Sequence, residues 1–112
     1  MFFHIPMHEY LNLYNEHPIR GQCKWITPWS VNTGLFSAII EQPSVTWVSV
    51  GHNHDSDFYG NYLGITLGYG RKSGHGGWTH RHLLNGARVF EVDEQTGAIE
   101  TWIRQSDGSI DR

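Results

Sequence analysis

Residues 45–58 read VTWVSVGHNHDSDF, and this stretch decides how the rest of the chain is interpreted. Residues 45–50 are a β-favouring run bounded by Pro43 and Gly51, which predicts a short strand that is buried on both faces. The Gly-His-x-His turn at 51–54 follows this strand directly. Because ligands of open α/β sheets gather outside the carboxyl ends of the strands, we expect a binding site at this turn.

The other segments predict an α/β (α+β) fold with mostly one β-sheet and two short helices. Residues 1–4 are typical of a strand that ends at His4, and 18–31 predict a long loop over the core. The remaining expected elements are a helix over 7–15 that ends at His17-Pro18, a helix that begins at Asn32-Thr33 and ends at Pro43, a strand over 65–69, and a hairpin of strands over 87–92 and 98–104.

Composition restricts the chain to one small domain and excludes several classes of protein. Of its 112 residues, 38% are hydrophobic and 17% are charged, which is enough apolar material for a core. The formal net charge of −3 argues against a nucleic-acid-binding surface. The chain has no apolar run near the roughly 20 residues of a membrane span, and MFFHIPMHEY is not a secretory signal. We expect a soluble chain, and its compartment stays open.

Histidine is the residue type that first suggests a function, because the chain contains 8 of them. His4, His52 and His54 stand at the ends of predicted strands, where neutral imidazoles are good ligands for Zn, Fe or Mn. With one residue between them, His52 and His54 can serve two adjacent ions. A lone histidine at a strand end is more often a hydrogen-bonded structural residue. A role other than metal binding is preferred for the others. His8 and His17 lie on or beside the first predicted helix, and His75, His80 and His82 are expected to be solvent-exposed loop residues.

Several side chains near these histidines are candidates for the surroundings of a site. Asp55 and Asp57 can orient an imidazole through hydrogen bonds, although capping of a turn is the more common use of Asp in this position. Arg71 lies in the glycine-rich loop at 69–77, whose backbone N–H groups can bind a phosphate. Cys23 has no partner for a disulfide and no motif of a nucleophile.

Six segments of the sequence, taken together, indicate a protein family more specifically than any one of them does alone. They are FFHIPMHEY (2–10), NTGLF (32–36), VGHNHDSDF (50–58), YGRKSGHGG (69–77), GARVFEV (86–92) and TWIR (101–104). In this order, and over nearly the whole chain, they resemble the C-terminal part of the calcineurin-like metallophosphoesterases. Within this family, the chain resembles the branch that includes purple acid phosphatase-like enzymes with a His-Ile-Pro segment.

The resemblance implies a dinuclear-metal phosphoesterase with a four-layer α/β/β/α sandwich fold, which hydrolyses phosphate esters. It implies that His4 and His52 bind one metal ion and that His54 binds the other. The ions would be divalent or trivalent Fe, Zn or Mn, and a hydroxide between them would attack phosphorus. The resemblance assigns no catalytic side chain to this part of the fold. The candidates for contact with substrate or for support of the ligands are Asn53, Asp55 and Arg71.

The family's earlier motifs, Asp-x-His, Gly-Asp-x-x-Asp and Gly-Asn-His-Glu, do not occur in these residues. They supply the bridging carboxylate, further ligands and a catalytic histidine. We therefore expect residues 1–112 to be one partial domain, the C-terminal portion of a metallo-dependent phosphatase domain. Such a portion would be a phosphoric ester hydrolase only when completed. Alone it would hold metal at partial occupancy at most, and the missing N-terminal half or a partner chain would cover an exposed apolar face.

Two other interpretations of the chain stay open. One is a stand-alone, histidine-rich module that binds a single metal ion, in which His80 and His82 would matter. The other is a non-catalytic interaction domain whose histidines no longer bind metal.

Overall fold

The strands of the protein form two small sheets. The computed structural model describes residues 1–78 and 83–112. Its helices are α1 (Glu9–Glu16) and α2 (Leu35–Ile40), and its strands are β1 (Trp47–Val50), β2 (Tyr59–Tyr62), β3 (Ile65–Tyr69), β4 (Gly86–Val92), β5 (Ile99–Gln105) and β6 (Ile110–Asp111). The sheet orders are β1-β3-β2 and β4-β5-β6. The expected mixed α/β class with two short helices is confirmed, and its strands are divided between two sheets of similar size.

The first sheet is built around β3. β1 pairs with it in parallel, from Trp47↔Thr66 to Val50↔Tyr69, and β2 pairs with it antiparallel. Alternate residues of these strands share one face. That face joins both helices in the core, whose main members are Tyr10, Leu13, Phe36, Ile39, Val48, Val50, Ile65, Leu67 and Tyr69.

The opposite face of the first sheet packs against the second sheet. The ring of Trp47 lies 5.3 Å from that of Phe90 and 5.4 Å from that of Tyr59, between centroids. Arg88 on β4 donates from Nε to the carbonyl oxygen of Tyr69 at 2.7 Å. All four residues of β1 are buried, as predicted for a strand that is covered on both faces.

Residues 1–4, predicted to be a strand that ends at His4, lie beside β1 but pair with it through a bridge and not as a full strand. Phe2 and Ser49 form an isolated parallel bridge. The N–H of Ser49 donates to the carbonyl of Met1 at 3.0 Å, and the N–H of Phe3 donates to the carbonyl of Ser49 at 3.2 Å. The segment therefore runs in the same direction as β1, and both end at the same edge of the sheet.

Both predicted helices are present with shifted ends. The first ends before Pro18, because the residue before a proline disfavours helical angles. The second begins at Leu35, and the side chain of Asn32 accepts a hydrogen bond from the N–H of Gly34 at 2.9 Å. Asn32 therefore shapes the turn that precedes the helix. Among the described residues, no helix has the length and apolar character needed to cross a membrane.

The predicted hairpin is confirmed, whereas β2 and β6 escape the sequence patterns. β4 and β5 pair from Gly86↔Gln105 to Val92↔Ile99. β2 reads YGNY, and Gly and Asn are depleted in strands. Leu63 and Gly64 join β2 to β3 with φ values of 50° and 87°, as a type I′ hairpin turn requires. β6 has only 2 residues, too few for a periodic signal.

Candidate metal centre

Parallel pairing places His4 and His52 at one edge of the first sheet. The N–H of Gly51 donates to the carbonyl of His4 at 3.0 Å, which continues the pairing past the end of β1. The two imidazole rings meet edge to face, with 5.3 Å between their centroids and 83° between their planes. Both residues are exposed, so their ring nitrogens are accessible to an ion from solution.

The main chain at His52 has a strained conformation. Its φ of 71° lies in the left-handed region, and the N–H of Asn53 donates across it to the carbonyl of Gly51 at 2.8 Å. This combination is typical of the γ-turn with positive φ, which is rare. Such conformations of non-glycine residues cost about 1–3 kcal/mol and cluster at functional sites. The strain at His52 therefore points to a function of this turn.

The ring of His54 is held by one nitrogen. Its Nδ1 donates a hydrogen bond to the main-chain carbonyl of Trp78. Because a carbonyl oxygen only accepts, the proton of the neutral ring is on Nδ1, and Nε2 keeps its lone pair. A ligating imidazole usually has this arrangement, in which one nitrogen is bonded to a carbonyl and the other faces the ion.

The three histidines line one open hollow of about 320 Å³. Its opposite wall is the glycine-rich loop that follows β3 and includes Arg71 and Lys72. The Nζ of Lys72 donates to the carbonyl of Gly74 within this wall. The hollow therefore combines imidazole nitrogens with the positive charge of Lys72, which suits an anion bound beside a metal ion.

The imidazole nitrogens that line this hollow are suitable ligands for a metal ion, but they are too few to form a complete site. Imidazole is a good ligand for Zn, Fe and Mn. Within 1–78 and 83–112, no group of three or more His, Cys, Asp or Glu side chains is arranged to hold an ion. The His4–His52 pair thus offers two ligands at the sheet edge, and a complete site needs further ligands from other groups.

Comparison with known proteins relates the chain to one family. "Probable inactive purple acid phosphatase 29" of Arabidopsis thaliana is 33% identical over 121 aligned positions, which cover 95% of this chain. "Probable inactive purple acid phosphatase 14" and "Probable inactive purple acid phosphatase 28" of the same plant are 31% and 30% identical over 96% and 95% of the chain. The chain is purple acid phosphatase-like along nearly its whole length. The family resemblance expected from the six segments is thereby confirmed.

The similarity covers only part of each purple acid phosphatase relative. The chain spans 30%, 29% and 29% of the lengths of these three proteins. The matched part is their C-terminal portion. No protein-family model matches the chain, and no solved structure does.

Asn53, the middle residue of the Gly-His-x-His turn in this purple acid phosphatase-like chain, makes three hydrogen bonds through its side chain. Its Oδ1 accepts from the N–H of Thr27 at 3.1 Å and from the hydroxyl of Tyr69 at 2.9 Å, and its Nδ2 donates to Oγ1 of Thr27 at 3.0 Å. Burial raises the pKa of Tyr69 far above that of an ordinary phenol, so the hydroxyl stays a donor. Sequence patterns gave no signal for Thr27, which lies in the segment interpreted as a long loop.

Arg71 and Asp57 form a buried ion pair beneath the hollow. Arg71 is 7% exposed, and its Nε donates to Oδ2 of Asp57 at 2.9 Å. The guanidinium also donates to the carboxylate of Asp111 at 3.1 Å and to the carbonyl of Leu84 at 2.8 Å. These contacts occupy the groups that the sequence suggested for phosphate binding or for support of an imidazole. Asp55, the other carboxylate suggested for that support, is buried at 2% exposure.

The remaining histidines show no grouping within the described part of the chain. The ring of His17 packs edge-on against that of Tyr62, with 5.3 Å between centroids. Nδ1 of His75 lies 3.3 Å from Nδ2 of Asn85. His8 directly precedes α1. His80 and His82, which matter for the interpretation as a stand-alone metal module, lie outside the described residues.

An apolar hollow of about 370 Å³ adjoins His4, which also lines the hollow shared by His52 and His54. Among the residues around it, Trp29 is 56% exposed and Val31 is 60% exposed. Its other apolar lining comes from Phe3, Ile5, Met7, Leu35 and Phe36. This hollow and the metal-site candidates therefore share one neighbourhood of the surface around His4.

Proposed function

We propose that this chain is the C-terminal part of a dinuclear-metal phosphoesterase domain and that it supplies three metal-binding histidines. His4 and His52 are proposed for one ion and His54 for the second. The main support is the edge-to-face pair of His4 and His52, with 5.3 Å between ring centroids at the carboxyl edge of the first sheet. Similarity to the purple acid phosphatases over 95% of the chain supports the class of reaction.

The proposed substrate of the complete enzyme is a phosphate ester. Two ions, each Fe, Zn or Mn, would supply the charge that stabilises the transition state and activates water for hydrolysis. This chain contributes the nitrogen lone pairs of its three histidines and the positive charge of Lys72 in the wall of the hollow. The described residues offer no cluster of three ligands, so we expect little or no hydrolysis by the chain alone and partial metal occupancy at most.

The remainder of the domain, or a partner chain, is proposed to cover the apolar hollow beside His4. The relatives of this chain are about three times as long, since it spans 30% of one of them. A surface that carries Trp29 and Val31 would then be buried next to the metal site. The added part would bring the missing ligands to the same edge of the sheet.

A metal-binding domain without turnover is the second candidate function. The names of all three relatives contain the words "probable inactive". In that case the histidine pair would still bind an ion, and the domain would act through the surface around it.

Metal titration of the purified chain tests the proposed site. We expect Zn²⁺ to bind to the wild-type chain with one tightest site. His4→Ala and His52→Ala should each lower its affinity at least about 10-fold, since even partners that only support a ligand cost 10–100-fold when they are lost. His75→Ala is the matched control and should bind as the wild type does. Isothermal calorimetry measures the affinities, and circular dichroism checks that each variant is folded.

Two outcomes of this titration would contradict the proposal. The first is a wild-type chain that binds no Zn²⁺ at millimolar concentration. The second is binding that survives both His4→Ala and His52→Ala. Binding that depends on His80 or His82 in place of His4 would favour the stand-alone metal module.

A further inference from the structure

We propose that Asn53 is a positioning residue, whose side chain holds the imidazoles of His52 and His54 in place. The inference rests on the proposed metal site for its purpose. Asn53 occupies the single position between the two histidines, so any force on its side chain acts on both neighbours through one peptide unit each. Its side chain is not itself assigned as a ligand.

The need for such a residue comes from the strain of the turn. His52 has a φ of 71°, which an L-residue adopts only when its surroundings over-determine it. The γ-turn hydrogen bond from Asn53 N–H to the carbonyl of Gly51, at 2.8 Å, is local and cannot by itself impose that conformation. On the N-terminal side of His52, the N–H of Gly51 is held by the distant carbonyl of His4 at 3.0 Å. To fix the turn, its C-terminal side needs a contact with a distant part of the fold as well.

The side chain of Asn53 provides that contact twice. It bonds to Thr27, 26 residues earlier in the chain, through both its oxygen and its nitrogen. It bonds to the hydroxyl of Tyr69, 16 residues later, at 2.9 Å. The turn is therefore tied to the loop on one side and to the end of β3 on the other.

Tyr69 makes this connection rigid because it belongs to the core. It is fully buried, and its ring lies 5.3 Å from that of Tyr10 and 5.1 Å from that of Phe58, between centroids. The phenol ring therefore cannot follow a movement of the turn. Displacement of Asn53 has to break the bond to Tyr69, so the core limits the positions available to His52 and His54.

The hydrogen bonds of Asn53 predict which substitutions keep the arrangement. A carboxylate at this position can accept the same two bonds from Thr27 N–H and Tyr69 O–H, and it can accept the hydroxyl proton of Thr27 with its second oxygen. Asn53→Asp therefore preserves the connection, whereas Asn53→Ala removes all of it. Thr27→Val removes only the bond between the Thr27 hydroxyl and Nδ2.

The first measurement is made without metal, by nuclear magnetic resonance of the folded chain, and it reports the distance between the His4 and His52 rings. We expect a nuclear Overhauser contact between the His4 and His52 rings in the wild type, in Asn53→Asp and in the control Asn61→Ala. Asn61 is a suitable control because its side chain also bonds to the main chain of a turn, with Oδ1 accepting from Gly64 N–H at 3.1 Å. Asn53→Ala should lose the ring contact, and Thr27→Val should weaken it.

The second readout is the affinity for Zn²⁺. Asn53→Ala should lower it by about 10–100-fold, as is usual when a residue that supports metal ligands is lost, and Asn53→Asp should restore it to the wild-type value or above. A role in stability alone would lower the melting temperature of Asn53→Ala without a change in ring contact or affinity.

The outcomes separate this inference from the proposed function. Wild-type affinity and an intact ring contact in Asn53→Ala would overturn it, and so would Asn53→Asp behaving as Asn53→Ala. A wild-type chain that binds no Zn²⁺ but loses the ring contact in Asn53→Ala would support the positioning role while the proposed metal function fails. If Asn53→Ala does not fold, Thr27→Val decides, and an unchanged ring contact in that variant overturns the inference.

Discussion

Asp57→Asn is expected to lower the free energy of unfolding by about 3–5 kcal/mol, because it removes the buried carboxylate that is paired with the Arg71 guanidinium. The Asp57 and Arg71 side chains are only 4% and 2% exposed, so water cannot solvate the guanidinium in place of the lost carboxylate. The other oxygen of Asp57 accepts from Gln22 N–H at 2.7 Å, and an asparagine can keep that bond. The loss would therefore report mainly on the ion pair. Urea denaturation of the wild-type chain and of Asp57→Asn measures this difference in the free energy of unfolding.

Asp111→Asn is the matched control, since Asp111 bonds to the same guanidinium at 3.1 Å but has a side chain that is 50% exposed. Exposed ion pairs contribute about 0–1 kcal/mol, so this substitution should have a small effect. Equal effects of the two substitutions would show that burial does not distinguish the two contacts. A small effect of Asp57→Asn would mean that the buried pair contributes little to holding Asp57 against the loop after β3.

Leu13→Ala is expected to cost about 2–5 kcal/mol of stability, the usual range for removal of a buried leucine. Leu13 is fully buried in α1, and its Cδ1 would lie 2.9 Å from a Cβ at Gly60 of β2, so it fills the space that this glycine leaves. The cavity left by alanine cannot collapse easily, because a strand forms its floor. Thermal and urea unfolding measure the loss.

Leu63→Ala is the control for this loss, because Leu63 is 64% exposed and its side chain contributes little to the core. It should change stability by no more than about 0.5 kcal/mol. A small effect of Leu13→Ala would mean that α1 does not pack closely on the first sheet. The fold beneath the candidate metal centre would then need revision.

The parts of the fold that could be predicted are those with a strong local signal. The apolar run of β1 and the alternation of β4 and β5 are visible in the sequence, and proline marks the ends of both helices. β2 could not be predicted, because Gly60 and Asn61 are poor strand formers and pairing with β3 decides their conformation. Residues 1–4 needed the neighbouring strand to show that they form only a bridge.

Of the residues that form the candidate site, only the histidines could be predicted from the sequence. The order of the segments pointed to His4 and His52 on a common ion, and the structure brings their rings together. The partners of Asn53 and Arg71 could not be predicted, because they lie 13 to 40 residues away along the chain. A pattern of residue types contains no information on such distant contacts. The strain at His52 likewise becomes visible only in the main-chain angles.

A titration of the chain with paramagnetic Co²⁺ tests most directly whether His4 and His52 share an ion. The imidazole resonances of all histidines are recorded by nuclear magnetic resonance at each Co²⁺ concentration. We expect the His4 and His52 resonances to broaden and shift together at the lowest Co²⁺ concentration, with His75 unchanged. Broadening of only one of the pair, or broadening of His75 at a lower Co²⁺ concentration than the pair, would contradict a metal site formed by these two residues.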